Sequence, residues 1–140
     1  MSTEPTASAP ASGTDRALRR TRLEFQGNPR SNLDYIVMLE GRVAHHGHYV
    51  HLTYVPDKLV LGAESFEAYL AAFGADAPLM IEQLAFDILD DLNNEIVPRW
   101  VQVIVTAPHG GPSVRPQTVI VEDRQPNWDN PRILAHLRVP

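Results

Sequence analysis

The hydrophobic pattern changes its period between residues 48 and 92, and this change limits what the chain can fold into. Over residues 48–55, side chains alternate between two faces, as they do in a β-strand. Pro56 breaks that strand. Beyond it, apolar residues return at helical spacing, first in a short segment that ends at Gly74 and then in a longer one that opens at Pro78. The pattern predicts a strand, a turn and two successive helices.

Further strands are predicted on both sides of this segment. Leu33–Arg42 precedes it, and Trp100–Thr106 and Pro116–Glu122 follow it. The short helix is predicted over Phe66–Phe73 with Ser65 as its cap, and Asn93-Asn94 and Pro98 are expected to end the long one. The order β-β-α-α-β-β predicts an α+β fold, with an antiparallel sheet that carries its helices on one face.

Composition divides the chain into three parts. Residues 1–27 open with Ser, Thr, Ala and Pro and are predicted to form a disordered tail, in which a cluster of four arginines is expected to be solvated. Residues 28–124 form one domain. Residues 125–140 are a Pro- and Asn-rich C-terminal extension. The four arginines are Arg16, Arg19, Arg20 and Arg22.

Charge and cysteine content exclude several classes of function. The net charge of -5 argues against general binding of nucleic acid or an anionic membrane. No apolar run reaches transmembrane length, and no secretory signal is recognised, so a cytoplasmic location is expected. The sequence has no cysteine, which rules out disulfides, thiolate zinc sites and cysteine nucleophiles.

Seven short motifs accompany this order of elements. They are Asn32–Tyr35, Thr53–Lys58, Tyr69–Phe73, Ile81–Glu82, Asp90–Leu92, Pro98–Val103 and Pro108–Gly111. Together with the order of elements, these motifs resemble the 7-cyano-7-deazaguanine reductase (nitrile reductase) family of the tunnelling fold. This resemblance implies a small-molecule substrate and a homo-oligomer in which strands of several subunits close a barrel, with sites between subunits.

The chain departs from that family where its chemistry is done. The family's catalytic cysteine falls near Leu39 or Glu40, and its catalytic aspartate near His46. In the family's cofactor motif, two lysines are replaced by Glu64 and Glu67, whose charges would repel a phosphate-bearing dinucleotide. NADPH is therefore not expected to bind.

Three residues are predicted to contact substrate. The resemblance implies that Glu82 pairs with the N–H edge of a purine or pterin ring, although the histidine that precedes this glutamate in the family is replaced by isoleucine. A carboxylate in the first helical turn is also stabilised by the helix dipole, so an ordinary first-turn acid is the alternative. Leu39 and His109 are the other two predicted contacts.

The motif His46-Gly47-His48 resembles the zinc-binding motif of 6-pyruvoyl-tetrahydropterin synthase-like enzymes. Residues two apart on a strand share a face, which suits a common zinc ion, but a third protein ligand is needed and no histidine precedes His45. Alternatively, His46 and His48 act as acid or base together with Glu40, or they are polar surface. His51 is expected to be packed or solvated.

Three functions follow from these residues. The first is a divergent enzyme of hydrolase, lyase or cyclase type, acting on a purine- or pterin-like or other small polar substrate. The second is a non-catalytic tunnelling-fold protein that binds a ligand or assembles with a partner subunit. The third is an NADPH-dependent nitrile reductase that works without the thiol.

Overall fold

The computed structural model describes residues 13–44, 47–74, 77–78, 80–108 and 117–137. In these residues the helices are α1 (Gly13–Arg20), α2 (Ala63–Ala71), α3 (Ile81–Ile96) and α4 (Pro131–Leu134). The strands are β1 (Phe25–Gly27), β2 (Val37–Arg42), β3 (Tyr49–Val55), β4 (Leu59–Leu61), β5 (Trp100–Thr106) and β6 (Thr118–Arg124). None of the helices described is both long and apolar enough to cross a membrane.

The main sheet is antiparallel and has the strand order β2-β3-β5-β6 in the described part of the chain. Helix α2 packs against β2, and α3 packs against β5 and β6. One face of the sheet joins these helices in the hydrophobic core, to which β3 contributes Val50, Leu52 and Tyr54 and β5 contributes Val101, Val103 and Val105. The predicted α+β class is confirmed, as are the extents of β5 and, to within one residue, of β3.

Strand β2 is shorter than predicted because the residues before it are held by side-chain contacts. The strand was expected from Leu33 but begins at Val37. Asp34 accepts a hydrogen bond from Arg99 at 2.9 Å. The Tyr35 hydroxyl donates to the Asn28 side chain at 2.6 Å. Asp34 and Tyr35 therefore contribute side chains to a polar network, and residues 33–36 do not extend β2.

Both predicted helix starts shift in the structure. Helix α2 begins at Ala63 with Gly62 as its N-cap, and the Ser65 hydroxyl donates to the Gly62 carbonyl at 2.8 Å instead of capping the helix. Helix α3 begins at Ile81 and continues through Asn93 to Ile96, where Val97 ends it in the left-handed conformation with φ of 43°. The helix thus ends between Asn94 and Pro98, the residues that were predicted to end it.

Much of the predicted disordered tail belongs to the folded domain. Helix α1 and strand β1 lie within residues 13–27, and β1 pairs with β4 from Phe25↔Leu61 to Gly27↔Leu59. Leu23, between them, is 5% exposed and belongs to the core. The prediction failed here because the segment has few apolar residues, and its contacts are made with residues far along the chain. Residues 1–12 lie outside the described part.

The arginines of this segment meet a buried carboxylate on α3. Asp91, which is 1% exposed, accepts hydrogen bonds from Arg19 Nε at 2.8 Å and from Arg20 Nε at 2.7 Å. The Tyr69 hydroxyl donates to Asp91 at 2.5 Å, and the Arg19 guanidinium lies 4.5 Å from the centre of the Phe73 ring. Arg19 was expected to be solvated, but it is buried because Asp91 neutralises its charge.

Replacing Asp91 should destabilise the domain severely. Asp91→Ala leaves the buried guanidinium of Arg19 without its counter-charge, and removal of one partner of a buried ion pair costs about 3–5 kcal/mol. Urea unfolding followed by circular dichroism measures the loss. Asp90→Ala is the matched control, because Asp90 is the exposed neighbour on the same helix, and it should change the free energy of unfolding by less than about 0.5 kcal/mol. Equal losses in the two variants would contradict this role for Asp91.

Tyr69 should make the fold sensitive to alkaline pH. Its burial, together with the nearby charge of Asp91, raises the pKa of its phenol well above the ordinary value near 10. In the unfolded chain the phenol ionises above pH 10 while in the folded chain it stays protonated. Stability is therefore full below pH 10 and falls by about 1.4 kcal/mol per pH unit above it, until the folded pKa is reached.

Urea unfolding between pH 9 and pH 11.5 tests this dependence. Tyr69→Phe should be less stable at pH 9, because it loses the hydrogen bond to Asp91, but its stability should fall less steeply above pH 10. An identical slope in the two proteins would show that Tyr69 is not responsible.

Candidate functional site

Glu40 is the predicted site residue with the most defined surroundings. It lies in β2 opposite His51 of β3, on the sheet face that points away from the core. The Tyr49 hydroxyl donates to Glu40 Oε1, and His51 Nδ1 lies 3.6 Å from Glu40 Oε2. Glu40 therefore contacts His51, which the sequence analysis treated as a packed or solvated residue.

Tyr49 contacts both Glu40 and Arg42. Its phenol donates to Glu40, and this hydrogen bond is the main reason that its pKa lies above the ordinary value. The Arg42 guanidinium lies 5.5 Å from the centre of the Tyr49 ring, within the range of a cation–π contact. Arg42 and Tyr49 are direct neighbours in the β2–β3 register.

A pocket of about 180 Å³ lies between β2 and the start of α2. Leu39 and Glu40 line it from the strand, and Ala63, Glu64 and Glu67 line it from the helix. Leu39 and Glu40 are where the resemblance placed the missing thiol, and Glu64 and Glu67 replace the lysines of the cofactor motif. The structure thus brings these two separate departures from the family together in one acidic pocket.

Glycine at position 41 allows α2 to come close to β2. A Cβ atom at Gly41 would lie 2.9 Å from Leu70 Cδ1, so a larger residue would require the Leu70 side chain to shift. Glu64 and Glu67 are three residues apart and project from neighbouring positions on one helix face. The small residue in β2 and the helical spacing together bring both glutamates to the pocket.

Of the remaining predicted residues, the two that the structure describes, His48 and Glu82, do not line this pocket. His48 is buried at the entrance to β3, at 8% exposure. Glu82 is exposed in the first turn of α3 and does not line the pocket. His46 and His109 lie outside the described residues. Among the residues that the structure describes, no three His, Asp or Glu side chains are grouped to hold a metal ion.

A second pocket, of about 280 Å³, lies at the far end of α3. It is lined by Asp57, Lys58, Leu59, Ile96 and Val97. Asp57 accepts hydrogen bonds there from Arg99 at 3.1 Å and from Gln125 at 3.0 Å. These contacts tie the start of the C-terminal extension to the turn that follows β3.

The C-terminal extension is also fixed to Asp34. Trp128 Nε1 donates to Asp34 at 3.2 Å, and Asn130 donates to the same carboxylate oxygen at 2.9 Å. Although burial acts in the opposite direction, the hydrogen bonds from Asn130, Arg99 and Trp128 hold the pKa of Asp34 below its ordinary value. The extension packs at this end of the domain through Asp34 and Asp57, neither of which lines the acidic pocket.

Sequence reasoning missed His51 and Tyr49 because it paired Glu40 with histidines that are closer in sequence. The signal that identifies them is strand register. In an antiparallel pair, the residue opposite Glu40 and the next one on the same face are fixed once the turn is placed. Residues 43–48 separate the strands, so His51 and Tyr49 reach Glu40 whereas His48 precedes β3.

The protein belongs to the α+β class, with an antiparallel sheet backed by helices. Comparison with known proteins identifies its family. A family model described as QueF-like protein matches residues 48–124, more than half of the chain. Two curated relatives, from two strains of Acidithiobacillus ferrooxidans, are each 30% identical over 127 residues, or 82% of this chain and 86% of the relative. The chain therefore belongs to the QueF-like family.

The names of these relatives describe an enzyme activity. Both Acidithiobacillus proteins are named NADPH-dependent 7-cyano-7-deazaguanine reductase. A solved structure of the archaeosine synthase QueF-Like in the apo form is 22% identical and covers 64% of this chain and 90% of its own, with a TM-score of 0.48.

Proposed function

We propose that this chain is a divergent QueF-like enzyme that acts on a small nitrogen heterocycle, such as a purine or a pterin, and does not reduce nitriles with NADPH. The observation that carries this proposal is the pocket shared by Glu40, Glu64 and Glu67. Carboxylates accept hydrogen bonds from N–H groups and attract positive charge. The pocket therefore favours a ligand that is rich in N–H donors or carries a positive charge.

The same carboxylates argue against the activity named for the relatives. Glu64 and Glu67 are both exposed on α2, and negative side chains there repel the phosphates of a dinucleotide. In the nitrile reductase family, reduction proceeds through a thioimide on a cysteine sulfur, and this sequence contains no cysteine. Both the cofactor contacts and the nucleophile of that reaction are therefore missing.

Glu82 is proposed as a second anchor, supplied across a subunit contact. It is exposed at the start of α3, where the helix dipole stabilises its charge. Strands β2 and β6 are the edges of the main sheet in the described residues, and open sheet edges favour pairing with another chain. A homo-oligomer with sites between subunits would bring Glu82 of one copy to the pocket of another.

Proton transfer is the chemistry that the described residues support. Glu40 and His51 offer a carboxylate 3.6 Å from an imidazole, and histidine is the side chain most often used for general acid–base catalysis. This suits a hydrolase, lyase or cyclase reaction. His46 and His48 remain proposed as further acid–base groups or zinc ligands. No three His, Asp or Glu side chains are grouped to hold a metal ion in the described part of the chain, and no step is assigned to a metal.

A non-catalytic ligand-binding protein is the second candidate. The absence of any thiol favours it, because the family's chemistry is lost while its scaffold is retained. The two candidates differ in one measurement. Chromatography of a bound heterocycle after long incubation shows a new product if the protein is an enzyme and the unchanged ligand if it is not.

The proposed site should bind heterocycles through its carboxylates. We expect guanine, pterin or 7-cyano-7-deazaguanine to bind the wild-type protein in isothermal titration calorimetry. Glu82→Gln and the double variant Glu64→Gln/Glu67→Gln should each weaken binding at least about tenfold, because hydrogen bonds to a charged acceptor are worth about 1.5–3 kcal/mol.

Asp90→Asn is the matched control for this experiment, because it removes one exposed acid of α3 that does not line the pocket. It should leave the dissociation constant unchanged. If Glu82→Gln binds as well as the wild type, Glu82 is an ordinary first-turn acid. If none of the three heterocycles binds the wild type, the proposed substrate class is wrong.

Reversing two charges should restore contact with the dinucleotide. Glu64→Lys/Glu67→Lys returns lysines to the two positions where the family has them, so NADPH should bind this variant and not the wild type. The fluorescence of NADPH measures binding, and added salt should weaken it. Neither protein should reduce 7-cyano-7-deazaguanine, because neither has the thiol. Measurable NADPH-dependent reduction by the wild type would overturn the proposed function.

A further inference from the structure

Two groups approach the carboxylate of Glu40, one at each of its oxygens. The Tyr49 hydroxyl donates to Oε1, and His51 Nδ1 lies 3.6 Å from Oε2. Tyr49 and His51 are two residues apart in β3 and therefore project from the same sheet face. The register of β2 and β3 places His51 directly opposite Glu40 and Tyr49 one pair further along.

The surroundings of this group contain little that would compete for the carboxylate. From β5, the residues that face His51 and Tyr49 are Ile104 and Thr106, and neither is charged. Arg42 is the charged neighbour on β2, and it lies against the Tyr49 ring. Tyr49 and His51 are thus the described groups that fix the direction of Glu40.

This restraint matters because Glu40 is otherwise free to move. Its side chain is 58% exposed on an edge strand, and an unrestrained glutamate loses rotamer freedom when it binds a ligand. Contacts that fix it beforehand remove that cost from binding. Each carboxylate oxygen has two acceptor positions, so an oxygen that already has one partner can still accept an N–H group from a ligand.

We propose that Tyr49 and His51 are positioning residues that hold the Glu40 carboxylate on the open face of the sheet, at the rim of the pocket between β2 and α2, ready for a ligand there. This inference rests on the proposed function, because it assigns a role to Glu40 in the same acidic pocket. Glu40 is the residue that makes the direct contact. Tyr49 and His51 act through it, and they extend the site from the pocket onto the open face of the sheet.

Variants of the two positioning residues test the proposal by calorimetry with guanine, pterin and 7-cyano-7-deazaguanine. Tyr49→Phe and His51→Leu should each weaken binding about tenfold, because each removes a partner of the Glu40 carboxylate. His51→Gln keeps an N–H donor and should stay within about threefold of the wild type. Thr106→Val is the matched control, because it lies opposite Tyr49 on the same face and hydrogen-bonds to Thr118 rather than to Glu40.

If His51→Gln binds the probes like the wild type while His51→Leu does not, the N–H donor at position 51 positions Glu40 and does not merely support the fold. If His51→Leu and Tyr49→Phe bind the probes like the wild type while Glu64→Gln/Glu67→Gln does not, the inference fails and the proposed function stands. If the wild type binds none of the probes, the proposed function fails, and the ligand role of Tyr49 and His51 fails with it.

A ligand-free measurement reports on the geometry in either case. Carbon-13 labelling of the tyrosine rings allows NMR to follow ionisation of Tyr49. Because the phenol donates to a carboxylate, its pKa should fall in Glu40→Gln. An unchanged Tyr49 titration would overturn the contact on which the inference depends.

Discussion

The arrangement of the helices depends on one buried carboxylate. Asp91 of α3 accepts hydrogen bonds from Arg19 and Arg20 at the end of α1 and from Tyr69 of α2, so three helices meet at a single charge. Tyr69 also stacks on Phe66 and meets Phe73 edge to face, with ring centres 6.1 and 5.4 Å apart. Burial of a carboxylate is unfavourable unless it is fully paired. The helices must therefore dock in the arrangement that supplies all three donors.

That docking determines the geometry of the acidic pocket. Helix α2 is tied to α3 at Tyr69, and next to it Leu70 sits against Gly41 of β2. The face of α2 that carries Glu64 and Glu67 is then directed to the strand that carries Glu40. The chain thus fixes its acidic site through contacts made within the core, while the acidic side chains themselves remain exposed. Because the fold depends on the core contacts, the exposed acidic residues can change without loss of the fold.

Sequence reasoning correctly predicted elements that have a local pattern. It failed for elements and side chains whose partners lie far along the chain. The alternation over Trp100–Thr106 predicts β5 correctly, because seven alternating residues between turn signals have few other interpretations. Strands β1 and β4 have three residues each and are stabilised by each other, 32 to 36 residues apart, so no local pattern marks them. Arg19 resembles a solvated residue in sequence because its partner is 72 residues away.

The candidate site shows the same contrast between what a local motif predicts and what depends on distant residues. The sequence identified Leu39, Glu40, Glu64 and Glu67 from a family motif, and the structure brings these four together in one pocket. It could not identify His51, because the residue opposite Glu40 depends on the β2–β3 register rather than on distance along the chain.

The retained and altered residues together indicate how this chain diverged. Residues that build the scaffold, such as Tyr69 and Asp91, lie within motifs shared with the nitrile reductases and are buried. Residues that would contact a cofactor or a nitrile have changed in charge or in chemistry. Loss of the thiol alone would leave a pocket that still attracts phosphates. Replacement of both lysines by glutamates removes that attraction and gives the pocket the opposite preference. Two changes of the same sign at one site support the proposed change of ligand over a simple loss of activity.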